Sequence, residues 1–146
     1  SRDEKVVDDF KNDPLCDFIF TVDGFKALLT LVREDCDDRT AQKVPKELPI
    51  YILSGAEDPV GQYGEGVMKT YEQYRQAGIE NLQVKIYPEM RHEILNELGK
   101  EEVYEDILRW TEERISEYAQ ENDEADTEND DASDSQMDDK ADSQEE

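Results

Sequence analysis

The sequence predicts an α/β fold in which a strand, a helix and a second strand form one unit that a further helix covers. Residues 48–53 are a short, continuous apolar run rich in β-forming side chains, and residues 82–87 alternate apolar with polar positions. Both patterns are typical of strands. Between them, apolar side chains recur at helical spacing over residues 67–74. A strand that returns through a helix to a second strand is typical of a parallel sheet, so we expect two parallel neighbours.

The part of the chain before the first strand predicts one clear helix. Residues 1–12 are charged with scattered apolar side chains and fit either a short helix or a loop, which Asp13-Pro14 would break. Apolar residues at positions 25, 28, 29 and 32 share one helical face, and Asp23-Gly24 is a suitable turn and cap before them. Residues 34–46 are polar and predict a loop.

After the first strand, glycine and proline predict where the elements end. Residues 56–66 carry Asp58-Pro59 and three glycines and predict a loop. Gly78 is a usual helix-ending residue. Residues 88–99 predict a second loop with room for a helical turn, and the acidic residues that follow it suit a helix N-terminus. That last helix presents apolar side chains to a core over residues 103–115.

Composition divides the chain. Residues 120–146 hold thirteen of the 40 acidic residues, a single lysine and no aromatic side chain. Such a segment cannot bury enough apolar surface to offset the entropy of ordering, so we predict a disordered acidic tail. The globular candidate is therefore residues 1–119, which we divide into a connector region, residues 1–46, and a core region, residues 47–119.

Charge and composition exclude several classes of partner. A net charge of −24 disfavours nucleic acid and anionic membrane surfaces, and no apolar run is long enough for stable membrane insertion. The two cysteines form no metal-binding pattern, and one histidine excludes a site with several histidine ligands. We expect a cytoplasmic protein that needs no cofactor. Because the chain begins with serine and not methionine, this expectation does not extend to a targeting signal in an earlier segment.

The chemistry-bearing residues follow the two predicted strands. Asp58 lies in the loop after the first strand and His92 in the loop after the second. Sites gather at the carboxyl ends of parallel strands, so we expect these side chains to meet. A carboxylate beside an imidazole fixes the tautomer of the ring and stabilises its charged form. The order acid, then histidine, is the order of the second half of a serine-hydrolase triad.

Other interpretations of these residues remain open. Asp58 before a proline is suited to starting a turn, a lone histidine in a loop is more often a surface residue, and Glu57 is an alternative acid. Glu93 is interpreted as a supporting or surface group. The stretch from His92 begins like the helix motif of zinc proteases, but Asn96 replaces the second histidine, so we reject a metal site.

Residues 48–115 resemble the C-terminal part of α/β-hydrolases of the lysophospholipase, monoacylglycerol-lipase and serine-aminopeptidase group. The resemblance rests on the strand that runs into Asp58-Pro59-Val60-Gly61, on residues 84–88, on residues 91–97 with His92, and on Leu108-Arg109-Trp110 in the final helix. It implies that Asp58 orients His92 and that His92 is the general base. Residues 12–16 and the helix near Phe25 resemble the end of the cap of this family. That helix then lines an acyl pocket, unless it is ordinary core packing.

The sequence lacks the other half of such a site. It contains no G-x-S-x-G and no oxyanion loop, and two parallel strands alone do not make a stable sheet. We therefore expect a hydrolase of small acyl esters, such as a lysophospholipid or a monoacylglycerol, that requires the N-terminal half of the fold, with this chain inactive alone. That half lies upstream on the same polypeptide or on a separate chain. The alternative is an inactive fragment or an acidic binding module.

Overall fold

The structure is a computed structural model that describes residues 1–16 and 18–134. Over these residues the chain forms five α-helices, two strands and two short 3-10 turns. In chain order they are α1 (Glu4–Asn12), α2 (Val22–Asp35), α3 (Asp38–Ala41), β1 (Ile50–Gly55), a 3-10 turn (Gln62–Gly64), α4 (Glu65–Gln76), β2 (Leu82–Tyr87), a second 3-10 turn (Ile94–Asn96) and α5 (Lys100–Asp134).

The two strands pair in parallel, which confirms the predicted strand–helix–strand unit. Their register runs from Ile50 opposite Leu82 to Gly55 opposite Tyr87, and α4 joins them and contacts both. Since the strands end at the same level, the loop after each strand leaves from the same edge of the sheet. That edge is where the candidate site lies.

Strand β1 differs from its prediction in bounds and in burial. It begins at Ile50, and only its last two residues, Ser54 and Gly55, are buried. The expectation of a strand buried on both faces is therefore wrong for residues 50–53, which are half-buried. The reason is that the sheet contains two strands within the described residues, so the strand lacks a covering neighbour on part of its surface.

The N-terminal region is more helical than predicted. Helix α2 begins at Val22, and the Thr21 hydroxyl accepts the Gly24 N–H at 3.1 Å. Asp23 and Gly24 are thus inside the first turn of α2. The expectation that they precede the helix is wrong. The predicted loop over residues 34–46 contains α3, whose N-cap is Asp37. A four-residue helix is too short to show an apolar period, so its capping side chain is its main sequence signal.

The predicted glycine, Gly78, terminates helix α4 two residues after its last helical residue, Gln76. Gly78 has a φ of +91°, its N–H donates to the Arg75 carbonyl at 3.0 Å, and the Ile79 N–H donates to the Tyr74 carbonyl at 3.2 Å. These two bonds form a Schellman motif, which satisfies carbonyls at the helix end. A left-handed residue is needed there, and glycine adopts that conformation without steric cost.

Two compact units divide the chain, and the second begins at Glu105. The buried apolar side chains of the first unit are Ala41, Ile79, Tyr87, Met90 and Val103. The stripe predicted on α2 does not enter a core of the described residues, because Phe25 and Leu29 are 48% and 65% exposed. No helix within the described residues combines the length and apolar character needed to cross a bilayer.

The predicted tail overlaps the end of the described chain. Helix α5 continues to Asp134, and residues 135–146 lie outside the described residues. The boundaries proposed at residues 46 and 119 stay predictions, as does disorder of the tail.

Candidate active site

Asp58 and His92 meet at the carboxyl edge of the sheet, as the sequence predicted. The Nδ1 atom of His92 lies 3.0 Å from Oδ2 of Asp58. The Asp58 side chain is 7% exposed and the His92 side chain is 62% exposed. The carboxylate is therefore fixed inside the protein while the imidazole reaches the surface of this chain.

The backbone of its own loop holds the Asp58 carboxylate. The Val60 N–H donates to Oδ1 at 2.9 Å, and the Gly61 N–H is a further donor. Burial by itself raises the pKa of Asp58, but the hydrogen bonds from His92, Val60 and Gly61 outweigh it and lower the pKa below its ordinary value. Asp58 is thus a carboxylate at neutral pH and an acceptor for the His92 ring.

Two backbone hydrogen bonds join the loops that carry the pair. The Ala56 N–H donates to the Tyr87 carbonyl at 2.9 Å, and the Glu57 N–H donates to the Met90 carbonyl at 2.8 Å. The first extends the ladder of the sheet by one residue. The second ties the residue before Asp58 to the segment that leads into His92, so the distance between the two side chains is set by paired backbone.

Glycine at the end of β1 permits this close approach. A β-carbon placed on Gly55 would stand 2.2 Å from the Met90 carbonyl oxygen and 2.4 Å from the Arg91 carbonyl oxygen. No side chain fits in that space, since real β-carbons do not come so near to backbone oxygen. Gly55 therefore lets the loop of His92 lie directly on the strand that leads to Asp58.

Both loops contain residues with left-handed backbone. Gln62 and Tyr63 have φ of 53° and 54° in the loop after Asp58, and Glu89 has φ of 61° just before Met90. Such conformations are uncommon for residues other than glycine and collect at functional sites. The sequence contained no signal for them.

A buried glutamate that the sequence analysis did not single out lies in the loop of His92, five residues after the histidine. Glu97 is 2% exposed and accepts the backbone N–H groups of Arg91 at 3.0 Å and Leu98 at 3.2 Å. Arg2 donates to it from its backbone N–H at 2.9 Å and from Nε at 3.2 Å. Burial raises the pKa of Glu97, but these hydrogen bonds together lower it below its ordinary value.

Sequence reasoning missed Glu97 because its partner is remote. Arg2 and Glu97 are 95 residues apart, and a single acid between Asn96 and Leu98 has no periodicity or motif of its own. The family resemblance includes Glu97 within residues 91–97, but it implies no role for this residue.

The alternative acids do not take the place of Asp58. Glu57 is exposed, and the structure uses its backbone N–H and not its carboxylate in the loop contact. Glu93 is exposed and accepts from Nδ2 of Asn96 at 3.3 Å. Ser54 is buried at the end of β1, where its hydroxyl is 3.4 Å from the Gly55 carbonyl oxygen.

The arrangement has the chemistry of an oriented base. When the Asp58 carboxylate accepts the proton on Nδ1, the other ring nitrogen of His92, Nε2, is the one left to take up and return a proton. The carboxylate also balances the charge that the ring acquires when it does so. A buried acid and an accessible imidazole in this geometry suit general acid–base catalysis.

Comparison with known proteins agrees with this geometry. Residues 1–99 match the family model described as serine aminopeptidase, S33. A thermostable carboxyl esterase from Bacillus coagulans, solved in complex with glycerol, aligns with a TM-score of 0.70 at 34% identity over 75% of this chain and 36% of that chain. A lipase in its open form aligns with a TM-score of 0.68 at 28% identity over 78% of this chain and 37% of that chain.

The chain thus spans little more than a third of the length of these two enzymes. The match nevertheless covers about two-thirds of its own residues and includes both loops of the site. The strand–helix–strand unit has the fold that these enzymes share in this region. The chain belongs to the serine aminopeptidase S33 family of α/β-hydrolases.

Proposed function

We propose that this chain supplies the acid and the histidine of a serine hydrolase that cleaves carboxylic esters. The observation that carries the proposal is the 3.0 Å contact between Nδ1 of His92 and the buried Asp58 carboxylate. Asp58 orients the ring and balances its charge, and His92 acts as general base and then as general acid. These are the two roles that a Ser–His–Asp triad requires besides the nucleophile.

The reaction needs a serine from outside these 146 residues. That hydroxyl would attack the ester carbonyl while His92 takes its proton, and His92 would then protonate the departing alcohol. Water would next be activated by His92 to release the acid and restore the serine. Because the sequence holds no G-x-S-x-G, we propose that the chain acts only with the N-terminal half of the fold and is inactive alone.

The ester is favoured by the two solved structures, whose names are carboxyl esterase and lipase. A monoacylglycerol or a lysophospholipid is the finer proposal, and it follows from the family resemblance of the loops. The description of the matching family names an aminopeptidase, so a peptide bond is the second candidate substrate.

The test uses the whole protein that contains this chain together with the rest of the fold. Its rates are measured on a short nitrophenyl ester, a monoacylglycerol, a lysophosphatidylcholine and an aminoacyl anilide. Asp58→Asn and His92→Ala should each lower kcat by about 10³- to 10⁴-fold on the ester that is cleaved best. Glu57→Gln is the matched control, because it removes a neighbouring exposed carboxylate and should leave kcat unchanged.

Wild-type rates in both Asp58→Asn and His92→Ala would refute the assignment. A large loss in Glu57→Gln with none in Asp58→Asn would move the role of the acid to Glu57. Faster cleavage of the anilide than of every ester would favour the peptidase.

A further inference from the structure

We propose that Glu97 is a positioning residue for His92, and that Arg2 supports it in this role. The inference rests on the function proposed above, since it concerns the placement of the same histidine. It begins from one peptide group, the one between Met90 and Arg91, which lies one residue before the peptide group that joins Arg91 to His92.

This peptide group is held at both ends. Its carbonyl accepts the Glu57 N–H at 2.8 Å, and its N–H donates to Oε1 of Glu97 at 3.0 Å. Its carbonyl group also lies against Gly55, where an added β-carbon would stand 2.2 Å from the Met90 carbonyl oxygen and 2.4 Å from the Met90 carbonyl carbon. A peptide group is planar, so hydrogen bonds at its carbonyl and its N–H, together with the close approach of Gly55, fix its orientation. The next residue along the chain is His92.

The contact to Glu57 comes from the loop of Asp58, whereas the contact to Glu97 comes from the segment that follows His92. Without Glu97, this peptide group keeps the hydrogen bond from its carbonyl to the Glu57 N–H but can rotate about that hydrogen bond. Such a rotation would move the Cα of His92 and so the distance from Nδ1 to Asp58. Misplacement of a catalytic group by about 1 Å can lower a rate by about 10²-fold.

The carboxylate is chemically specific for its surroundings. The Glu97 carboxylate is the acceptor in all four of these hydrogen bonds. The donors are the Arg91 N–H, the Leu98 N–H, and the backbone N–H and Nε of Arg2. A carboxylate is acceptor-only and can satisfy all of them. The amide of glutamine would turn two N–H groups toward these donors and leave buried polar groups unpaired.

Arg2 links the start of the chain to this loop. Besides Glu97, its Nη1 donates to Glu89 at 3.2 Å and its Nη2 to the Leu98 carbonyl at 3.3 Å. The Ser1 hydroxyl adds a bond to the Asn96 carbonyl at 2.7 Å. The Arg2 guanidinium therefore contacts residues on both sides of His92 in the sequence, Glu89 before it and Glu97 and Leu98 after it.

The experiment compares Glu97→Gln with Glu89→Gln in the whole protein. Both variants remove a carboxylate that pairs with Arg2, but Glu97 is buried and accepts the Arg91 N–H, whereas the Glu89 side chain is 81% exposed. We measure kcat, KM, the melting temperature, and the low-field proton NMR signal of His92 Nδ1–H, assigned by its loss in His92→Ala.

Glu97→Gln should lower kcat by about 10- to 100-fold at a nearly constant KM, and it should weaken or abolish the Nδ1–H signal. Glu89→Gln should leave both unchanged. Arg2→Ala should lower kcat less than Glu97→Gln, and the double variant should lose no more than Glu97→Gln alone, because both residues act through one contact. If Glu97→Gln does not fold, Glu97→Asp serves instead, since it keeps the charge but shortens the reach.

Wild-type kcat and a retained Nδ1–H signal in a folded Glu97 variant would overturn the proposal. A lower melting temperature with unchanged kcat per folded molecule would do so too, because Glu97 would then only stabilise the fold. The NMR signal separates this test from that of the proposed function. If His92→Ala is fully active but Glu97→Gln still removes the signal, the catalytic assignment fails and the positioning of His92 by Glu97 stands.

Discussion

The Cα of Gly55 lies so close to Met90 that a β-carbon on it would stand 2.2 Å from the Met90 carbonyl oxygen. The same Met90 carbonyl accepts the Glu57 N–H at 2.8 Å. The end of β1 and the loop of His92 are thus in direct backbone contact. This contact sets how far the imidazole stands from the Asp58 carboxylate, and it makes the first prediction specific.

We expect Gly55→Ala to damage both stability and activity. The methyl group meets backbone atoms that cannot rotate away, so the loop of His92 must move outward. Overpacking of this kind costs about 1–3 kcal/mol in free energy of unfolding, and the displaced loop should lower kcat by about 10-fold or more. Urea unfolding and steady-state kinetics of the whole protein measure the two effects.

Gly24→Ala is the matched control for Gly55→Ala. Its new methyl group also has near neighbours, at 3.1 Å and 3.3 Å, but these are side-chain atoms of Phe20 and Thr21. Gly24 lies within α2, where alanine is favoured over glycine by up to about 1 kcal/mol. Equal behaviour of the two variants would contradict the steric role given to Gly55.

The second prediction concerns Gly78, where the backbone and not the available space is limiting. Its φ is +91°, and the nearest atom to an added β-carbon is Cδ of Lys46 at 3.9 Å. Gly78→Ala should therefore cost about 1–2 kcal/mol through left-handed strain alone. Gly78→Asn should cost less, because asparagine tolerates this conformation. Equal losses in the two variants, measured by urea unfolding, would refute strain as the cause.

The third prediction is a loss of stability in acid. Asp58 and Glu97 have pKa values below their ordinary ones of 3.8 and 4.5, so the unfolded chain binds protons at a higher pH than the folded chain does. The stability they contribute is complete above the ordinary pKa values and is lost as the pH falls through the lower, folded ones. Urea unfolding of the whole protein between neutral pH and pH of about 3 measures this slope.

Glu97→Gln should make that acid slope shallower, because the variant removes one of the two buried carboxylates whose lowered pKa contributes to it. Its stability should be lower than that of the wild type at neutral pH, and the two curves should converge in acid. Parallel curves throughout would show that Glu97 does not contribute through its charge.

The fourth prediction concerns an exposed ion pair in the same unit. Glu102 accepts from Nζ of Lys85 at 2.8 Å, and its side chain is 60% exposed. Surface pairs of this kind contribute about 0–1 kcal/mol, so Glu102→Gln should change the free energy of unfolding by less than about 1 kcal/mol and leave kcat unchanged. A loss as large as that of Glu97→Gln would contradict the distinction between buried and exposed carboxylates.

The sequence by itself determined the strand–helix–strand unit and the pairing of Asp58 with His92. Periods of two and 3.6 residues are local properties, so residues 82–87 and 67–74 revealed their elements without any distant contact. Parallel strands end at a common edge, and this predicts that the loops of Asp58 and His92 lie together. The end of α4 at Gly78 was predictable in the same way, since the left-handed conformation found there depends on a single residue.

Only the tertiary structure decided how the pair is held. Gly55 is one glycine among seven in the sequence, and its importance comes from a peptide of another loop that lies on it. Glu97 is one acid among 40. It matters because Arg2, which is 95 residues away in the sequence, donates hydrogen bonds to its carboxylate and pairs with its charge. Contacts between residues so far apart leave no local pattern, because they are fixed by packing and burial and not by the conformation of the nearby chain.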